Sequence, residues 1–85
     1  MDASENIKFP VLCHYKIIAK DRPAMLEEIE SVFSQVNIVT NVERGNLSEG
    51  GHYVTFNASV TIHSLELMRY LDKALRAIDG VKIVL

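Results

Sequence analysis

Twice along this chain, apolar side chains that alternate every second residue give way to a helical spacing, and both times the alternation returns. In "VLCHYKIIAK", residues 11–20, Val11, Cys13, Tyr15, Ile17 and Ala19 share one face, while His14, Lys16 and Lys20 share the other with Ile18. Met25, Leu26, Ile29, Val32, Phe33 and Val36 then recur at helical spacing, with Glu27, Glu28, Glu30 and Ser34 on the wet side. A second strand is expected from Ile38 to Ser48, and "HYVTFNASVTI" alternates as a third. In that third strand Val54, Phe56, Ala58, Val60 and Ile62 point inward, and Tyr53, Thr55, Asn57, Ser59 and Thr61 outward. Leu67, Leu71, Ala74, Leu75 and Ile78 make the apolar stripe of a second helix, and "VKIVL" is a last short strand.

The punctuation agrees with these periods. Asp21 or Arg22 is the expected N-cap of the first helix, Pro23 lies in its first turn, and Asn37 closes it in a left-handed conformation. Gly50-Gly51 supplies a two-residue hairpin turn. Ser64 caps the second helix and Gly80 ends it. Counting outward from the turn puts Leu47 opposite Val54 and Gly45 opposite Phe56. Continued unbroken, that register would turn Val42 to solvent, so a bulge is expected near Gly45. The order strand, helix, strand, strand, helix, strand, with right-handed crossovers, is the split βαβ arrangement of the ferredoxin-like α+β fold. Both helices then cover one face of a four-stranded antiparallel sheet. The other face is left to His14, Lys16, Tyr53, Thr55, Asn57, Ser59 and Thr61.

Eighty-five residues, 48% of them hydrophobic, are enough for one domain. Residues 1–8 are polar and are expected to form a flexible tail, with the folded domain at 9–85. Nine basic against eleven acidic side chains leave a net charge of −2, which gives no electrostatic reason to expect nucleic acid or an anionic membrane as partner. The opening "MDASENIK" lacks the form of a signal peptide, and no apolar run reaches the length of a membrane span. The single cysteine, Cys13, fits a reducing compartment, so the expected location is the cytoplasm.

No constellation for chemistry emerges. Cys13 and His14 are adjacent on a strand and point to opposite faces, and His52 and His63 are separated by about 30 Å at strand rise, so no metal or other cofactor is expected. Cys13 is expected to be buried, with no histidine on its face to activate it. Some ferredoxin-like domains hydrolyse acyl phosphates with a glycine-rich anion loop after the first strand, but "AKDRPA" has no glycine. The chain therefore reads as a non-enzyme. "EGGHYVTF" resembles the central segment of an RNA recognition motif through Gly50, Tyr53, Val54 and Phe56. Glu49 stands where that motif has a basic residue, however, and Gly51 where it has a stacking ring.

"IIAKDRPAMLEEIESVFSQVNI", residues 17–38, resembles the opening of an ACT domain, a ferredoxin-like regulatory module that binds amino acids or similar effectors. Phe9-Pro10, Tyr15-Lys16, Gly51-x-Tyr53, the leucine-rich last helix and the Val84-Leu85 end are similar to the YbeD-like family, small uncharacterised bacterial proteins of ACT-like fold. The ACT resemblance implies an effector at the loop after the first strand. There, N–H groups of the first helical turn (Ala24, Met25) would meet a carboxylate, Arg22 would add a charge, and Asp21 would take an ammonium. Asn37 would close the site from a neighbouring domain, as a homodimer would supply. Ala24 stands where the ACT loop typically has glycine, and its methyl narrows the approach to the backbone. "KDRPAML" thus has two readings, a helix start and a ligand loop. The alternative to metabolite binding is a protein partner at the open sheet face or a strand edge.

Overall fold

The computed structural model describes residues 8–48 and 50–85. Its elements are β1 (Val11–Lys20), α1 (Met25–Ser34), β2 (Glu43–Leu47), β3 (Tyr53–Ile62), α2 (Leu65–Arg76) and β4 (Val81–Val84). The strands form one antiparallel sheet in the order β2-β3-β1-β4, the ferredoxin-like topology. Among the described residues no helix is long and apolar enough to cross a membrane.

β1 and β3 carry the core because their alternation matches the pleat. Ten residue pairs run without a break from Val11 opposite Ile62 to Lys20 opposite Tyr53. Tyr15, Ile17 and Ala19 from β1 meet Val54, Phe56, Ala58, Val60 and Ile62 from β3 on the buried face. The helices close over them with Met25, Ile29, Val32 and Phe33 from α1 and Leu71 and Leu75 from α2. The Tyr15 and Phe33 rings pack 5.8 Å apart in a tilted arrangement.

The helix ends follow from local chemistry. Ser64 sits in an extended conformation and its Oγ accepts from the Leu67 N–H at 3.1 Å, the expected N-cap. Asn37 is left-handed at φ 62, with Ile38 N–H bonded to Phe33 O and Asn37 N–H to Ser34 O, the paired bonds of a Schellman closure. The start of α1 differs from expectation. Ala24 occupies the cap position with no side-chain cap bond, because the Asp21 and Arg22 side chains are engaged elsewhere.

β2 is shorter than the alternation implied. It begins at Glu43, not Ile38, and all five of its residues are exposed. At 38–42 the chain approaches β3 through a side chain: the Thr40 hydroxyl donates to Ser59 O at 3.1 Å, where a strand would offer a backbone N–H. The expected bulge is present between Arg44 and Leu47, and Val42 is buried. It lies so that Arg44, not Gly45, is opposite Phe56. Leu47 does pair with Val54 but is 51% exposed. The two-residue turn expected at Gly50-Gly51 is not seen in that form: Gly50 has no positive φ and Gly51 N–H bonds to Ser48 O at 2.8 Å, next to Glu49, which lies outside the described residues. Beside it, Ser48 N–H donates to Tyr53 O, and Gly51 adopts φ 73.

Candidate functional site

The β1–α1 loop leaves the sheet beside the β2–β3 hairpin, with Asp21 N–H bonded to His52 O at 3.4 Å. Between them lies an open cleft of about 520 Å³ lined by Lys20, Asp21, Arg22, Gly51, His52 and Tyr53. Its size falls in the range of small-molecule sites. Gly51 needs its glycine for the positive φ, and no atom lies within 4 Å of where a Cβ would stand, so the backbone there is open to the cleft.

Two of the charges that sequence reasoning assigned to a ligand are already used within the chain. Arg22 donates from Nε (3.2 Å) and a terminal nitrogen (2.7 Å) to Asp79 O, and its other terminal nitrogen pairs with Glu28. Gly80, at φ 95, permits this approach: a Cβ there would stand 3.4 Å from Arg22 Nε and 3.1 Å from Met25 Cε. Arg22 therefore ties the α2–β4 connection to the start of α1. Asp21 receives a bidentate contact from Arg44 on β2, at 2.7 and 3.0 Å. That hydrogen bonding holds the Asp21 carboxyl below its ordinary value and raises the Arg44 guanidinium.

The remaining loop residues stand apart from the cleft. Met25 has no exposed surface, and its N–H is bonded to Arg22 O. Ala24 is exposed but does not line the cleft. Asn37 lies at the far end of α1, about 15 Å away along a helix of that length, and within this chain it is not brought to the loop. Sequence reasoning missed Lys20, Gly51 and His52 as lining residues, and Arg44, Glu28 and Asp79 as the partners that hold the loop. The outward position of Lys20 at the end of β1 was the one available signal.

The open face carries the residues expected of it. His14 Nδ1 lies 2.7 Å from Ser59 Oγ, across the directly paired positions of β1 and β3. Lys82 on β4 places its Nζ 4.5 Å from the centre of the Tyr53 ring. Lys16 and Asn57 are exposed opposite one another, and Thr55 is half-buried between them and the hairpin. Glu43 is opposite Asn57 on the other side.

A second cleft, of about 490 Å³, runs under α2 between Cys13, His14, Tyr15, Leu65, Met68, Arg69, Asp72 and Leu85. Cys13 is half-buried here, and burial pushes its thiol above the ordinary value, away from nucleophilic thiolate. Burial, with Cys13 and Asp72 adding, pushes the Tyr15 phenol up to about 12.

Comparison with known proteins places the fold. A Helicobacter pylori protein, HP0495, superposes with a TM-score of 0.77 at 18% identity over 100% of this chain and 96% of its own. The ACT domain of a Chlorobium tepidum GTP pyrophosphokinase gives a TM-score of 0.63 at 24% identity, over 87% of this chain and 94% of that domain. At those identities the likeness is one of fold, and the fold is ACT-like. In sequence, the chain is 28% identical to a UPF0250 protein of Shewanella loihica over 81 residues, 95% of this chain and 92% of that protein. The YbeD-like resemblance read from the residues points to the same small uncharacterised group. A family model described as "Protein of unknown function (DUF493)" matches residues 4–85, nearly the whole chain, and the chain belongs to that family.

Proposed function

We propose that this chain is a non-enzymatic regulatory module that binds a small carboxylate-bearing metabolite in the cleft between the β1–α1 loop and the β2–β3 hairpin. The observation that carries the reading is the cleft's composition. Lys20 and His52 line it with no acidic partner among the described residues, while the one acid in its lining, Asp21, is neutralised by Arg44. An anion gains from that arrangement. Among the described residues an ammonium finds no unpaired acid there, so a simple carboxylate fits better than an amino acid. The ACT-like fold adds support, because one of the two solved structures named above, the Chlorobium tepidum ACT domain, belongs to a GTP pyrophosphokinase. Among the described residues the cleft's lining holds no serine, threonine or cysteine, which favours binding over catalysis.

A thermal-shift panel of short-chain mono- and dicarboxylates on the intact chain tests this, followed by amide chemical shifts for any compound that stabilises. The expected result is saturable shifts at residues 20–22 and 51–53, lost in Lys20→Ala and His52→Ala. A ligand at a hundred times its dissociation constant adds about 2.7 kcal/mol to stability. Stabilisation with shifts elsewhere, or none from any carboxylate, removes this reading.

A further inference from the structure

The open face of the sheet brings uncompensated charge and exposed apolar surface together. Residues directly opposite one another in an antiparallel pair share a face. Ile83 of β4 is therefore beside Ile18 of β1, and Leu85, whose N–H and C=O exchange bonds with Lys16 at 2.8 and 3.1 Å, is beside Lys16. Leu12 lies on the same face four residues before Lys16. Leu12 is 58% exposed, Ile83 37% and Leu85 66%. Lys16, Lys20 and Lys82 stand exposed around them with no acidic partner among the described residues. The arginines behave differently: Arg22, Arg44 and Arg76 are paired with Glu28, Asp21 and Asp72. Among the described residues the acidic side chain on this face, Glu43, is on β2, two strands from β1. Glu27 and Glu28 belong to α1, which covers the other face of the sheet, and Glu28 is held by Arg22.

We propose that the β1–β4 half of this face receives an acidic amphipathic helix from a partner protein. Its apolar stripe would cover Leu12, Ile18, Ile83 and Leu85, and its carboxylates would meet Lys16, Lys20 and Lys82. The strip from Leu12 to Ile18 is about 20 Å long at strand rise, the length of a helix of about 13 residues. A helix is the element that ordinarily covers the face of a sheet, as α1 and α2 cover the other one. A second copy fits poorly, because a two-fold pairing of identical faces sets these lysines against each other. Single-stranded nucleic acid fits poorly as well. The Tyr53 ring already carries Lys82, and the His14 ring is held by Ser59, so no described ring on this face is free to stack on a base. This proposal shares Lys20 with the carboxylate cleft, and Lys16, Lys82 and the apolar strip lie outside that cleft's lining.

The probe is a labelled synthetic helical peptide of 14 residues with leucine at helical spacing and glutamate flanking it. A control peptide keeps the leucines and replaces glutamate by lysine. Expected is saturable binding of the acidic peptide to the intact chain, with amide shifts at Leu12, Lys16, Ile18 and Ile83 and none on α1. The lysine peptide should bind at least ~10-fold more weakly, and Lys16→Glu and Leu12→Ser should each weaken the acidic peptide several-fold while the amide spectrum elsewhere is kept. Lys16→Glu should also bring the lysine peptide closer to the acidic one. Neither variant touches the cleft, so the carboxylate titration serves as a control for folding and for the separate reading. Equal binding of both peptides overturns the proposal, as do shifts centred on Leu65, Met68 and Asp72 or on α1, no saturable binding, and comparable binding of a single-stranded RNA at the same residues.

Discussion

Arg22 uses its charge on contacts within the chain while its side chain stays part-exposed. With two N–H groups on Asp79 O and an ion pair to Glu28, Arg22→Ala should lower stability by about 1–2 kcal/mol, measurable as a shift in the denaturation midpoint. A surface arginine without partners would cost no more than about 0.5 kcal/mol. Asp21 offers a titration test. Its carboxyl is depressed in the folded state, so its contribution is present above the unfolded value of 3.8 and is lost as pH falls through the lower folded value. Arg44→Gln should raise the Asp21 titration midpoint, followed by carbon NMR of the carboxyl, and remove that acid-side dependence. Phe56 is 1% exposed at the centre of β3. Phe56→Ala should destabilise by about 3–5 kcal/mol, a large part of the roughly 4–13 kcal/mol expected for a chain of this size.

At the scale of the element, β2 is the weak member. Five exposed residues, a bulge and a pairing that stops at Glu43 leave it little to hold it beyond β3. Its amides should exchange with solvent well before those of β1 and β3 in a hydrogen-exchange experiment. Within the bulge, a Cβ on Gly45 would stand 3.1 Å from the Thr55 carbonyl oxygen. Gly45→Val should therefore cost about 1–2 kcal/mol and speed that exchange further. These features also mark where the sequence could be read and where it could not. β1, β3 and both helices were legible because their apolar periods coincide with one buried face each. The N-terminal half of the expected second strand was not, because Thr40 replaces a ladder bond with its hydroxyl and alternation alone cannot distinguish the two. The start of α1 was misplaced for a related reason: Asp21 and Arg22 are cap-type and charged residues locally, but their partners are tertiary.

Across the whole molecule, those partners explain why the loop site was only half legible. Arg44 lies 23 positions from Asp21, and Asp79 lies 57 positions from Arg22. Only the sheet order brings them together. The same order fixes how the chain resists force. β1 runs from Val11 to Lys20 and β4 returns from Val81 opposite Ala19 to Val84 opposite Ile17, so the start of β1 and the end of β4 face the same way. A pull between residues 10 and 85 loads that pair like a zipper, opening its few bonds in sequence from Leu85. A pull between residues 10 and 52 loads the ten pairs of β1 and β3 in shear, with all their bonds strained together. Held in optical tweezers, the first geometry should yield at clearly lower force than the second. A motor that pulls on β4 from Leu85 would thus meet a softer mechanical entry to this fold than one that pulls on β3 from residue 52.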